Sequence, residues 1–136
     1  MSHTILFLCP HGAAKSVMAA AYFQRLADQR QLDVTATFAG TEPDAAVSPA
    51  VVELLRADGL DVTHRIPRRV TREELTTAFR VVSLGCDLDD LLPPGTSVEL
   101  WDDVPPPSQD LLAARASIWA HVEKFITEFK QADKGE

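Results

Sequence analysis

Residues 5–16 read Ile-Leu-Phe-Leu-Cys-Pro-His-Gly-Ala-Ala-Lys-Ser and contain the strongest structural signal in the chain. Four apolar residues predict a short buried strand, a loop of small residues follows, and a helix-forming segment starts at Ser16. A strand that leads through a tight loop into a helix N-terminus favours anion binding, because backbone amides converge there and the helix dipole adds positive potential. The stretch therefore predicts an oxyanion-binding loop formed by Pro10, His11, Gly12, Ala13 and Ala14.

Cys9 stands at the mouth of this predicted loop. A helix N-terminus and a nearby cation, here Lys15, both favour the thiolate form of a cysteine. A thiolate beside an oxyanion-binding loop is typical of a nucleophile that accepts a phosphoryl or arsenyl group. We therefore predict that Cys9 is the catalytic nucleophile and that Lys15 and Ser16 belong to the same catalytic site; the alternative is a cysteine that serves only in packing.

Ala14-Lys15-Ser16 also resembles the end of a nucleotide-binding P-loop. That motif requires glycine at both ends of the loop, for the turn and for close approach to the phosphates. This chain has Cys9 and Ala14 at those positions, so we exclude nucleotide binding.

The composition indicates one globular domain. The chain has 136 residues, of which 46% are hydrophobic and 24% charged, enough for a single core. We expect a single domain over residues 1–130 and a frayed polar tail over 131–136.

The charge and the two cysteines exclude several classes of partner and compartment. A net charge of −7 disfavours nucleic acid and anionic membranes as partners. No stretch approaches the ~20 apolar residues of a membrane span, and the N-terminal residues do not form a secretory signal. Two widely spaced cysteines do not make a disulfide framework. We expect a cytoplasmic protein without nucleic-acid or membrane partners.

Strand and helix signals alternate along the chain, which predicts an α/β fold with three α/β/α layers and a four-stranded parallel sheet. Helix caps are predicted at Ser48, at Thr71 with Glu74 as a capping box, and at Ser108. The predicted strands cover residues 4–8, 33–39, 80–84 and 97–101, and the predicted helices cover 16–30, 49–58, about 71–79, and the segment from 108 to about 130.

Several polar or reactive residues come directly after predicted strands, namely Cys9, Thr41, Cys86 and the loop 102–107. Ligands of open parallel sheets bind beyond the carboxyl ends of the strands. We therefore expect these residues to line one rim and to form a single active site.

The motifs resemble those of the low-molecular-weight protein tyrosine phosphatase family and its arsenate reductase relatives. Residues 9–16 resemble the family's C-x5-R-S loop, and Phe38-Ala-Gly-Thr41 resembles the segment that closes its second strand. Val81-Val-Ser-Leu-Gly-Cys86 and Trp101-Asp-Asp-Val-Pro105 are more similar to the reductase branch. The resemblance covers nearly the whole chain and implies the family's fold, a cysteinyl intermediate and no cofactor.

Two positions depart from the family pattern. The loop has Lys15 where the family has arginine, and an ammonium lacks the planar fork with which a guanidinium binds two oxygens. The family's general acid lies on the loop after the fourth strand, where this chain has Pro106. The neighbouring carboxylates are Asp102 and Asp103, and we predict Asp103 as the general acid.

Cys86 resembles the cysteine that resolves the adduct in arsenate reductases. The further cysteine of thioredoxin-linked members is missing, because residues 87–91 read Asp-Leu-Asp-Asp-Leu. Arsenate reduction would therefore need an external thiol to complete the cycle. Cys9-x-His11 lacks the ligand number and spacing of a zinc site, so we predict no metal.

Three functions are compatible with this sequence. The first is a hydrolase in which Cys9 attacks a phosphate monoester and water releases the phosphate. The second is an arsenate reductase that uses Cys9 with Cys86 or an external thiol. The third is a non-catalytic domain that binds an oxyanion. We rank the hydrolase first because it needs only Cys9, the loop and one acid.

Overall fold

The computed structural model describes residues 3–86, 88, 91, 92 and 95–134, and contains a parallel sheet with the strand order β2-β1-β3-β4. All three strand pairs are parallel, and β1 lies between β2 and β3. The elements are β1 (His3–Leu8), α1 (Lys15–Gln29), β2 (Val34–Ala39), α2 (Pro49–Ala57), α3 (Arg72–Thr77), β3 (Arg80–Ser83), β4 (Glu99–Leu100) and α4 (Leu111–Lys134). The predicted α/β class and four-stranded parallel sheet are confirmed.

The sheet has a hydrophobic core on each face because consecutive side chains of a strand point to opposite sides. In β1, Ile5 and Phe7 belong to the core shared with α1, α2 and α4. Leu6 and Leu8 belong to a smaller core on the other face, which includes Leu75 of α3. Both cores meet on β1, which places the end of this strand, and the residue that follows it, at the centre of the fold.

The helix caps agree only in part with the predictions. The capping box of α3 is present: Thr71 accepts a hydrogen bond from the Glu74 amide, and the Glu74 carboxylate accepts one from the Thr71 amide. Ser48 occupies the N-cap position of α2, but its side chain makes no capping bond. Its amide donates to the carbonyl of Ala13 instead, at 2.9 Å, so Ser48 connects α2 to the predicted anion-binding loop.

The prediction that Ser108 caps the last helix is wrong. The amides of Gln109 and Asp110 both donate to the Pro106 carbonyl, which forms a turn and delays the start of α4. Asp110 is the cap: its carboxylate accepts a hydrogen bond from the Ala113 amide at 3.0 Å. Such a bond satisfies one of the free amides of the first helical turn.

Two element lengths also differ from the predictions. The fourth strand is limited to Glu99–Leu100, shorter than the predicted 97–101, because it pairs only with Val82 and Ser83 of the short β3. Helix α4 continues to Lys134, so it extends into the stretch predicted to be a frayed tail. Among the described residues, no helix combines the length and the apolar character needed to cross a membrane.

Candidate active site

Cys9 lies directly after β1 and in front of the N-terminus of α1, as predicted. Its side chain is buried, and its amide donates to the Ala39 carbonyl at 3.3 Å. The hydroxyl oxygen of Ser16 lies 3.0 Å from the Cys9 sulfur, and the Ser16 amide donates to the same sulfur at 3.4 Å. Two polar groups of the first helical turn thus face the sulfur.

The loop after Cys9 directs its carbonyl groups outward, towards the segment that follows β2. The carbonyls of Pro10, His11 and Ala13 accept hydrogen bonds from the amides of Glu42, Asp44 and Ser48, at 2.8, 3.0 and 2.9 Å. Gly12 makes the turn with a φ of +58°, in the left-handed region that favours glycine.

The amide groups of the same loop are left for a ligand. Within the described part of the chain, no protein acceptor takes the amide hydrogens of His11, Ala13, Ala14 or Lys15. Free amides at a helix N-terminus bind anions because their partial positive charges converge. These amides are therefore placed where they can bind an oxyanion.

Lys15 brings a full positive charge to this loop and reaches towards the end of β3. A Cβ atom added to Gly85 would lie 3.2 Å from the ammonium nitrogen of Lys15. Gly85 has a φ of +89°, so the absence of a side chain both permits this turn and leaves room for the ammonium group.

Cys86 lies close enough to Lys15 and to Cys9 for the charges of both residues to act on its thiol. Burial raises the pKa of the Cys86 thiol to about 11, and the charge of Cys9 contributes to the rise. Hydrogen bonding with Thr41 and the charge of Lys15 act in the opposite direction. The structure thus brings together Cys9, Thr41 and Cys86 at the carboxyl ends of the strands, the rim on which the sequence placed them.

A cavity of about 310 Å³ opens in front of the Cys9 loop. Pro107 lines it, as expected for the loop 102–107. The cavity also contains Asp44, Ser48 and Ser108, which the sequence did not indicate as site residues: Asp44 lies in a segment without a motif, and the two serines were predicted only as helix caps. A larger cavity of about 500 Å³ beside α3, β3 and β4 has no cysteine among its described lining residues. The walls of the smaller cavity are Cys9, Pro10, His11, Ala13, Ala14, Lys15, Asp44, Ser48, Ala50, Pro107, Ser108 and Leu111.

The structure does not bring Asp103 to this cavity. The Asp103 carboxylate lies 2.7 Å from the Nε2 atom of His121 on α4, and the imidazole of His121 stacks on Trp101 with ring centroids 4.7 Å apart. This hydrogen bond lowers the pKa of the Asp103 carboxyl, which opposes a role as proton donor. Asp102 is exposed and, like Asp103, is not among the lining residues.

Comparisons with known proteins agree with this geometry. Residues 4–97 match the family model of the low molecular weight phosphotyrosine protein phosphatases. The chain is 31% identical over 132 residues to a putative arsenate reductase of Halobacterium salinarum, a match that covers 93% of both proteins.

Two solved structures show the same fold. YfkJ from Bacillus subtilis has a TM-score of 0.86 at 18% identity, with 97% of each chain covered. A thioredoxin-dependent arsenate reductase of Corynebacterium glutamicum has a TM-score of 0.82 at 22% identity; the match covers 96% of this chain and 63% of that protein. The family match over residues 4–97, which include the Cys9 loop and Cys86, establishes that the chain belongs to the low molecular weight phosphotyrosine protein phosphatase family.

Proposed function

We propose that this chain reduces arsenate, with Cys9 as the nucleophile and Cys86 as the resolving cysteine. The observation that carries the proposal is the position of Cys86, which lies beside Lys15 and close enough to Cys9 for the charge of Cys9 to raise its pKa. The similarity to a putative arsenate reductase over 93% of the chain supports the same choice. The proposal reverses the order in which the sequence alone ranks reductase and hydrolase.

In the first step the Cys9 thiolate attacks arsenic. A sulfur–arsenic bond forms, and one arsenic–oxygen bond breaks, its oxygen leaving as water after it gains protons. The loop amides and the Lys15 ammonium stabilise the negative charge on the remaining oxygens. These groups are held by the backbone before the substrate binds, so little reorganisation is needed during the reaction.

In the second step the Cys86 thiol loses its proton to water, and the resulting thiolate attacks the Cys9 sulfur. A disulfide forms, and the electron pair of the sulfur–arsenic bond stays on arsenic, which is thereby reduced from arsenic(V) to arsenic(III) and leaves as arsenite. The sequence contains no third cysteine. An external thiol reductant must therefore reduce the Cys9–Cys86 disulfide to restore the enzyme.

Phosphate-monoester hydrolysis is the second candidate function. The oxyanion loop and Cys9 are the groups that such a reaction uses, and the matched family model is one of phosphatases. In that reaction Cys9 forms a phosphoryl–sulfur bond as the alcohol leaves, and water then releases phosphate. Cys86 takes no part.

The experiment that separates the two functions compares Cys86→Ser with Cys9→Ser. The wild-type protein should convert arsenate to arsenite when a dithiol is supplied, and both variants should lose this activity. Hydrolysis of an aryl phosphate, where present, should survive Cys86→Ser and be lost in Cys9→Ser. Undiminished arsenite production by Cys86→Ser would contradict the proposed role of Cys86.

A further inference from the structure

His11 and Asp44 form a pair at the wall of the cavity that holds Cys9. The Asp44 amide donates to the His11 carbonyl at 3.0 Å, which fixes the two residues relative to each other. The Nδ1 atom of His11 lies 3.2 Å from the Glu42 carbonyl oxygen and 3.4 Å from a carboxylate oxygen of Asp44. Both of these oxygens are acceptors.

The hydrogen bond with the Glu42 carbonyl assigns the hydrogen of the neutral imidazole to Nδ1, because a carbonyl oxygen can only accept. The other ring nitrogen, Nε2, is then the atom that gains and loses a proton. The hydrogen bond at Nδ1 orients the ring for proton transfer at Nε2, and the Asp44 carboxylate forms an ion pair with the ring when it is protonated.

The cavity needs a proton donor, and the predicted one lies elsewhere. The Asp103 carboxylate is hydrogen-bonded to His121 and is not among the residues that line the cavity. Among the described lining residues, Asp44 is the only carboxylate and His11 the only imidazole. The His11 side chain is 62% exposed, so solvent can restore its proton after each transfer.

We propose that His11 is the general acid of the first step, with Asp44 as the residue that positions it. This inference rests on the proposed function, and it applies to both candidate substrates. As the bond between arsenic or phosphorus and the departing oxygen breaks, its electron pair goes to that oxygen, which takes the proton from Nε2. Water or an alcohol leaves, and His11 becomes neutral until solvent protonates it again.

The role of proton donor predicts which reactions depend on His11. A general acid matters most for a leaving group that is unstable without its proton and least for one that departs readily as an anion. Loss of Nε2 should therefore slow reactions in which a hydroxide or an alkoxide must leave far more than reactions with a good leaving group.

The test is a single turnover of the fully reduced protein with arsenate, followed by quenching and counting of the free thiols. His11→Asn keeps an amide donor near the position of Nδ1 and lacks Nε2. We expect it to slow thiol loss about 10²–10⁴-fold. Asp44→Asn should slow thiol loss less and should have no further effect when it is combined with His11→Asn, whereas His64→Asn, a change at an exposed histidine outside the cavity lining, should match the wild type.

A folded His11→Asn protein that loses thiols as fast as the wild type would overturn the assignment of His11 and leave the proposed arsenate reduction unaffected. Wild-type protein that loses no thiols with arsenate would instead contradict arsenate reduction. The His11 assignment then predicts that His11→Asn slows hydrolysis of aryl phosphates with poor leaving groups far more than that of good ones. Wild-type protein inactive on both substrates would overturn both proposals.

Discussion

Gly40 is in direct backbone contact with the Cys9 loop: a Cβ atom added to Gly40 would lie 2.7 Å from the amide nitrogen of Gly12. The same atom would lie 2.7 Å from the Pro10 carbonyl oxygen and 2.9 Å from that of Cys9. All three neighbours are backbone atoms, which cannot rotate away as a side chain can. The end of β2 therefore supports the oxyanion loop from behind.

Gly40→Ala should displace the loop and destabilise the protein. Overpacking of a tight site typically costs about 1–3 kcal/mol, and here the strain falls on the backbone of Cys9, Pro10 and Gly12. We expect a lower melting temperature and weaker protection of Cys9 from alkylation by phosphate. Gly59→Ala is the control: Gly59 has a φ of +84°, but a Cβ atom added there would have no neighbouring atom within 4 Å, so stability should fall while protection of Cys9 persists.

The two cysteines should differ in their reaction with iodoacetamide. Burial holds the pKa of Cys86 at about 11, so at pH 7.5 only about one Cys86 side chain in a few thousand is a thiolate. Cys9 should react first and should be protected by phosphate, and labelling of Cys86 should increase steadily as pH rises towards 11. Mass spectrometry of the labelled peptides measures both, and equal labelling at pH 7.5 would refute the expectation.

A variant of Cys9 tests the coupling between the two sulfurs. The charge of Cys9 contributes to the raised pKa of Cys86. Cys9→Ala removes that charge, so Cys86 should become more reactive at a given pH than it is in the wild type. An unchanged Cys86 labelling rate would show that the two sulfurs do not interact.

Lys15→Ala should weaken oxyanion binding and slow the reaction. Loss of one preorganised donor to a developing oxyanion costs on the order of 10²–10³ in rate. The matched control is Lys124→Ala, because Lys124 lies on the exposed face of α4. Turnover of arsenate and of an aryl phosphate measures the effect, and a Lys15→Ala protein as active as the control would exclude Lys15 from the site.

Asp103→Asn should change stability slightly and turnover little. The hydrogen bond with His121 lowers the pKa of Asp103, so its contribution to stability is present above the carboxyl's ordinary pKa and is lost as pH falls through the lowered value. His121→Ala should abolish the same pH-dependent contribution, since it removes the partner of Asp103, and should also lower stability at every pH because the stacking on Trp101 is lost. Thermal unfolding from pH 2 to pH 7 tests this; a strong loss of turnover in Asp103→Asn alone would restore Asp103 as the general acid.

The parts of the site that the sequence predicts are those formed by local segments. The strand, small-residue loop and helix around Cys9 are encoded within residues 5–16, and the capping box of Thr71 and Glu74 is encoded within four residues. The position of Cys86 at the rim was also predictable from the sequence, because parallel strands bring their carboxyl ends to one edge of the sheet.

The parts that the sequence does not predict depend on distant contacts. Asp103 is held by His121, 18 residues further along the chain, and no local pattern indicates that pairing. Asp44 reaches the cavity through the hydrogen bond between its amide and the His11 carbonyl, in a segment without periodicity. The start of α4 depends on a turn in which the Pro106 carbonyl accepts hydrogen bonds from the amides of Gln109 and Asp110. This turn forms in place of a helix cap at Ser108.

The measurement that tests the account most directly is a thiol count after a single addition of arsenate to reduced protein, without an external reductant. Both cysteines are free thiols in this structure. The account predicts that both are lost together, that one arsenite appears per chain, and that peptide mapping finds Cys9 linked to Cys86. Two intact thiols after incubation with arsenate would contradict the account, provided that a separate alkylation assay of the same preparation shows that phosphate protects Cys9.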